Sequence, residues 1–213
     1  MPRQNKPHKR QRATEQTPGE LRIIAGNWRG RKLAFPSLAG LRPTPNRVRE
    51  TLFNWLQASV PGARCLDLFA GSGALGLEAL SRGAASVTFI DNATQAVRQL
   101  RDNLQLLKAQ NADVVATPAM DWLGRHERAG EMGFDLVFLD PPFRCDLLPQ
   151  ACELLESRDL LARQALIYIE SESELGAPRL PQNWRQLRSK TAGQVTYALY
   201  IRDEAAPQAQ AAE

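Results

Sequence analysis

The stretch Cys65-Leu66-Asp67-Leu68-Phe69-Ala70-Gly71-Ser72-Gly73-Ala74-Leu75-Gly76 constrains the fold of this chain more than any other. An apolar run of strand type ends in glycines spaced G-x-G-x-x-G, and a run of helical type follows. Glycines at such a junction allow a tight turn and a close backbone approach to a ligand. The spacing alone fits a dinucleotide or S-adenosylmethionine equally well. Asp67, four residues before Gly71, weighs against the dinucleotide. A carboxylate there can accept hydrogen bonds from a cationic ligand's amine or from loop N–H groups, whereas it would repel a pyrophosphate. The purely structural alternative is that Asp67 caps the helix. Asp91, followed by Asn92, ends the next apolar run, where a carboxylate suits ribose hydroxyls. Asp67, Phe69, Ala70, Gly71, Ser72, Gly73, Asp91 and Asn92 are therefore the candidate cofactor-binding residues. Met120 and Asp121 join them after a third strand. Asp121 can accept from an adenine amine while Met120 packs on the ring, or Asp121 can serve equally as a helix N-cap.

Strand and helix patterns alternate through most of the chain. Strands are expected at 64–69, 86–90, 113–117, 134–139 and 165–170. Helices are expected at 74–81, 94–107 and 147–156, with a short one near Asp121. Strands separated by helices imply βαβ units and a parallel sheet. Two further strands, 184–190 and 194–201, are joined by Thr191-Ala192-Gly193 with no helix between. They form a hairpin that closes an α/β sheet of seven strands. Ahead of this domain (61–203) lies an appendage (21–60). Its strand at 21–26 and its partner at 31–35 make a hairpin. A helix then runs to about residue 58, with Thr44 as N-cap and Pro45 as first helical residue. Polar residues 1–20 and the Ala/Gln-rich stretch 204–213 are expected to be disordered.

The apolar strand 134–139 delivers Asp140-Pro141-Pro142-Phe143 at its carboxyl end, where open α/β sheets bind ligands. An exocyclic amine on a base is a poor nucleophile, because its lone pair is delocalised into the ring. Asp140 can accept one of its N–H groups and the Pro141 carbonyl the other. Two prolines hold these acceptors rigidly. Phe143 can stack on the base, a contact of about 1–3 kcal/mol. Asp140 can also ease loss of the proton as the new bond forms. Arg144 either contacts the phosphate of a splayed nucleotide or is simply solvated.

Charge is unevenly spread. Residues 1–50 hold 12 Lys and Arg against 3 acidic groups, leaving 15 basic and 20 acidic groups to residues 51–213. A polyanionic partner met by the N-terminal quarter follows from this asymmetry. Arg29, Arg31, Lys32, Arg42, Arg47 and Arg49 are its candidate contacts, since they lie among Trp28, Phe35 and structured-looking sequence. Three cysteines without CxxC spacing and two histidines give no ligand set for a metal. No apolar run is long enough to span a membrane, and no signal peptide is expected, so the chain is read as cytoplasmic.

These motifs resemble the class I, Rossmann-like methyltransferases that act on amino groups. The N-terminal stretch is more specific. Leu21-Arg-Ile-Ile-Ala-Gly26, Trp28-Arg-Gly-Arg-Lys32, Arg42-Pro-Thr44 and Arg47-Val-Arg-Glu-Thr-Leu-Phe-Asn-Trp55 resemble the RsmD family of bacterial small-subunit ribosomal RNA guanine-N2 methyltransferases, as does Gly193-Gln-Val. The likeness runs over residues 21–201. It implies methyl transfer from S-adenosylmethionine to N2 of one guanine in 16S rRNA, in an assembled or assembling 30S particle; the chain is expected to act as a monomer. It implies that Asp140, Pro141, Pro142 and Phe143 meet the base and that the basic hairpin and the 42–49 segment face RNA. Asp91 stands where relatives can have Glu. Other readings are a DNA adenine or protein-glutamine N-methyltransferase, a non-catalytic RNA-binding assembly factor and a dinucleotide-dependent dehydrogenase. The absence of a separate target-recognition domain counts against the DNA reading. Intact Asp67, Gly71, Gly73 and Asp140 count against the assembly factor.

Overall fold

The computed structural model describes residues 19–38, 43–126 and 133–203. Its strands and helices follow the sequence periods closely. A first hairpin pairs β1 (Gly19–Arg22) with β2 (Lys32–Phe35), antiparallel. Helix α1 (Asn46–Trp55) follows. Then come β3 (Arg64–Asp67), α2 (Ala74–Ser81), β4 (Ser86–Asp91), α3 (Thr94–Leu107), β5 (Ala112–Ala116), α4 (Ala119–Arg125), β6 (Phe134–Leu139), α5 (Leu147–Ser157), β7 (Leu161–Glu172), β8 (Trp184–Ala192) and β9 (Val195–Arg202).

The main sheet has seven strands in the order β5-β4-β3-β6-β7-β9-β8. All pairs are parallel from β5 to β7, and β9 runs antiparallel to both β7 and β8. From β3 the chain builds outward through β4 to β5, then crosses back to place β6 on the other flank of β3. Such a reversal opens a crevice at the carboxyl ends of β3 and β6, the usual ligand position in open α/β sheets.

Alternation along the strands sends side chains to two cores. Cys65, Val87, Phe89, Leu136, Phe138 and Tyr168 pack on one face against α1, α2, α3 and the first hairpin. Leu66, Ile90, Val137, Leu139, Ile167 and Ile169 pack on the other against α4 and α5. Period-2 burial on both faces is why these strands read as continuous apolar runs. The N-terminal hairpin shares the first core through Leu21, Ile23 and Leu33, and Asn103 of α3 donates to the Ala34 carbonyl at 2.8 Å.

Several boundaries differ from expectation, each for a local reason. Strand β1 begins at Gly19, inside the stretch expected to be disordered, because the Phe35 ring covers Gly19 so closely that a Cβ would lie 2.1 Å from it. Helix α1 starts one residue later than expected, with Pro45 as its extended N-cap and no side-chain capping bond. Thr44 is not the cap, since its hydroxyl is turned to Asp140. Strand β7 is twelve residues long rather than six, because β9 pairs with it as far as Glu172. Strand β8 extends to Ala192, so the hairpin turn is Gly193-Gln194, with Gly193 at φ 62°. Residues 1–18, 39–42, 127–132 and 204–213 lie outside the described residues, and with them most of both expected disordered tails and Arg42. Among the described residues no helix is long and apolar enough to cross a membrane.

Candidate active site

Three strand ends supply the crevice. Strand β3 ends on Asp67, which lies beside Phe89 of β4 and Phe138 of β6 in register. Asp91 and Asp140, each two residues further along its own strand, therefore converge on the same end of the sheet. Gly71 (φ 51°) and Gly73 (φ 75°) both adopt the left-handed backbone that carries the loop over this end and into α2. Gly73 has a second constraint, since a Cβ there would lie 2.6 Å from the Leu100 side chain.

Asp67 is buried, and its Oδ2 accepts the Gly76 N–H at 3.0 Å. It thus ties the strand end to the first turn of α2, the structural role among those expected for it. Burial pushes its carboxyl up to about 7, against the opposing effect of the Gly76 bond and with a further push from Asp91. Asp91 accepts from the Gly71 N–H and the Ala93 N–H, both at 2.7 Å, one on each oxygen. It remains partly exposed, so each oxygen keeps a lone pair for hydroxyl donors. Ala70 and Ser72 are buried, Phe69 is half-buried and Asn92 is exposed. Met120 packs against the second core, while Asp121 sits exposed in the first turn of α4. Pro118 is the N-cap of that helix, so Asp121 is not.

Asp140 follows β6 directly. Pro141 is buried, Pro142 is exposed and the Phe143 ring is 46% exposed. Arg144 is exposed at φ 61°, and its N–H donates to Glu172 at 2.6 Å, which fixes the far side of this loop on the end of β7. Asp140 is not alone. Leu139 pairs with Ile169 in the parallel register, so Asp140 and Glu170 are neighbours at the ends of β6 and β7. Thr44 donates to Asp140 Oδ2 at 3.4 Å, and Tyr168 donates to Glu170 at 2.8 Å. Burial first, then Glu170 and Asp67, hold the Asp140 carboxyl well above its ordinary range. Nothing in the sequence alone singles out Glu170 or Tyr168, and Thr44 stands there as a helix cap and as part of the 42–49 segment. The one signal for Glu170 is that a carboxylate closing a buried apolar strand is the same feature that marks Asp140.

The basic N-terminal segment divides in two. Arg29, Arg31 and Lys32 are exposed on the first hairpin, and Arg47 is exposed on α1. Lys32 is paired with Glu20 at 3.0 Å, an exposed contact of little energetic weight. Arg49 contradicts the expectation that it faces a polyanion, for it is fully buried. Its Nη2 donates to the Arg22 carbonyl at 2.9 Å and to Asn46 at 2.6 Å, and its Nη1 lies 3.5 Å from Glu78. Glu78, also fully buried, accepts the N–H groups of Ile24 and Ala25 at 2.8 and 2.9 Å. Ser81 adds a donor to the Ala25 carbonyl and accepts from the Trp28 N–H. The side chains of α2 thus clasp the N-terminal segment directly behind the glycine loop. Burial of a guanidinium is tolerated there because a carboxylate faces it.

Known proteins share both the sequence and the fold of this chain. The family described as conserved hypothetical protein 95 matches residues 21–201. Ribosomal RNA small subunit methyltransferase D of Escherichia coli strain K12 is 54% identical over 185 residues, covering 87% of this chain and 91% of that one. The chain belongs to the RsmD family. The Haemophilus influenzae member with the same name is 49% identical and covers 87% of this chain and 97% of its own. The solved structure of the Escherichia coli protein yhhF superposes with a TM-score of 0.81 at 51% identity, covering 88% of this chain and all of that one.

RsmD-family chains have the S-adenosylmethionine-dependent methyltransferase fold, and S-adenosylmethionine is the cofactor of this chain. Its residues fit such a group. Gly71 and Gly73 carry no side chains and hold the left-handed backbone, so the loop's main chain can approach a ligand closely. Asp91 keeps acceptor capacity for hydroxyls. A raised, buried Asp67 carboxyl is a site that a nearby cation would favour in its ionised form.

Proposed function

We propose that this protein transfers a methyl group from S-adenosylmethionine to the exocyclic N2 of one guanine in 16S rRNA, within an assembled or assembling small ribosomal subunit. The observation that carries the reading is the position of Asp140-Pro141-Pro142-Phe143 at the end of β6, across the crevice from the glycine loop and Asp91. The relatives' names support ribosomal RNA as the polymer, and the exposed Arg29, Arg31, Lys32, Arg47 and Arg144 supply the cations that phosphates require.

When bound, the cofactor supplies an electrophilic methyl group on a sulfonium. Gly71 to Gly73 and Asp91 would hold it, with Asp67 behind the loop. Asp140 accepts one N–H of the guanine amine and the Pro141 carbonyl accepts the other, which turns the nitrogen lone pair out of conjugation and toward the methyl carbon. Phe143, already half exposed, stacks on the flipped base. Asp140, with its carboxyl held high by burial, is suited to take the amine proton as the nitrogen becomes cationic.

The test is labelled-methyl transfer to small subunits from a strain lacking this gene, followed by mapping of the modified nucleotide. Label on guanine N2 of 16S rRNA is expected. In the same assay Asp140→Ala should lose at least about a hundredfold in turnover, the scale of general-base and orientation effects, with cofactor binding retained. Label on adenine, or near-normal turnover by the variant, overturns the reading.

A further inference from the structure

The crevice contains a further carboxylate, Glu170, that takes no part in the transfer as described. Glu170 is 5% exposed and adjoins Asp140 across the β6–β7 pair, both on the face covered by α1. Its Oε1 accepts the Tyr168 hydroxyl at 2.8 Å. The Thr44 hydroxyl stands between the two acids, 3.4 Å from Asp140 and in hydrogen-bond reach of Glu170. Thr44 lies on the segment that leads into α1, 96 residues from Asp140 in sequence, so three separate parts of the chain assemble this group. A buried carboxyl beside a half-buried one is costly unless the two share a proton or serve a purpose.

We infer that Glu170 is a positioning residue for methyl transfer, which, with Thr44 and Tyr168, prepares Asp140 to take the proton that the target amine loses. This rests on the reading of Asp140 as the group that meets the amine. The amine nitrogen forms a bond to the methyl carbon, and the electron pair of the old carbon–sulfur bond stays on sulfur. The nitrogen then holds one proton too many, and that proton passes to the Asp140 carboxylate. Like charge on Glu170 makes Asp140 hold that proton more firmly, while the Tyr168 hydroxyl favours the ionised form of Glu170 against the burial that opposes it. The groups facing Asp140 are Asp67 from β3, Glu170 and Tyr168 from β7, and Thr44 from the loop before α1. Tyr197 of β9 pairs with Glu170 and completes the wall. Burial raises both acids, and the Tyr168 and Thr44 bonds oppose that rise in Glu170. They titrate as a pair, so the acid limb of turnover belongs to both.

Two variants test this, each compared with the intact protein for turnover on small subunits across pH 5–9. In Glu170→Gln the like charge is gone, so the acid limb should move down by about one pH unit. A weaker base should also lower plateau turnover about tenfold. KM for subunits and for S-adenosylmethionine should not move. In Tyr168→Phe, Glu170 loses its donor and takes up a proton more readily, so the limb should shift the same way by less. Melting curves check that each variant is folded, and if Glu170→Gln is not, Tyr168→Phe decides. A limb unmoved in a folded variant, while Asp140→Asn is inactive, overturns the role of Glu170 alone. Asp140→Asn with near-normal turnover overturns the reading of Asp140 beneath it.

Discussion

Arg49 and Glu78 form a buried pair whose two halves should cost very different amounts to remove. Glu78 holds two backbone N–H groups, Arg82 at 2.8 Å and Arg49 at 3.5 Å. In Glu78→Leu, Arg49 is left buried without a facing charge, which costs about 3–5 kcal/mol. The N–H groups of Ile24 and Ala25 lose their acceptor as well, at about 1–3 kcal/mol each if water cannot reach them. A total of at least about 5 kcal/mol is a large part of the roughly 5–15 kcal/mol that holds a domain together. Arg49→Met differs. Glu78 keeps Arg82 and both N–H groups, and the methionine removes a guanidinium whose Nε and Nη1 make no hydrogen bond. Burial already weighs against the charge on Arg49, more than Glu78 favours it. What is lost is the Nη2 pair of bonds to Arg22 and Asn46, so the net cost is about 1–2 kcal/mol. For a chain of this size about 2–4 °C of Tm accompanies each kcal/mol, so Glu78→Leu should melt at least about 10 °C lower and Arg49→Met no more than about 8 °C lower. Urea unfolding gives the same comparison as free energies. Equal losses, or a larger one for Arg49→Met, would refute the placement of the unpaired burden on the arginine.

Two further outcomes follow from charge. Arg47→Gln should weaken binding to small-subunit RNA and reduce the slope of log affinity against log salt by about one, whereas Arg49→Met should leave that slope unchanged; filter binding across a salt series separates them. Asp67 has a folded value of about 7 against an ordinary 3.8. Raised in the folded state, it weighs against folding progressively as pH climbs from about 4 to 7, by up to about 4 kcal/mol above that range. Asp67→Asn should therefore raise the Tm of the ligand-free protein at pH 8, with a gain that shrinks toward pH 4, while S-adenosylmethionine binds more weakly by calorimetry. A gain independent of pH would mean that ionisation of Asp67 is not what opposes folding.

Local pattern carried much of this protein. The period-2 apolar runs, the helices between them and the hairpin at the end are enough to specify an α/β sheet with its last strands antiparallel, because each depends on residues a few positions apart. The glycine loop and Asp140-Pro141-Pro142-Phe143 were legible for the same reason. Each is a short segment whose place at a strand end is written in its flanks. Charge composition marked the N-terminal quarter, but it could not sort one arginine from another. Arg47 and Arg49 are two residues apart on one helix, and the turn of that helix sends the first to solvent and the second inward to Glu78. Thr44 looked like a cap because a cap is the local partner available to it, yet its hydroxyl meets Asp140. Glu170 gained a partner only when β7 was laid beside β6 in register. These assignments depend on groups far apart in sequence and brought into contact by the sheet. Buried charges seek partners wherever the fold supplies them, so the tertiary structure alone decided which ionisable groups support the fold and which gather around Asp140.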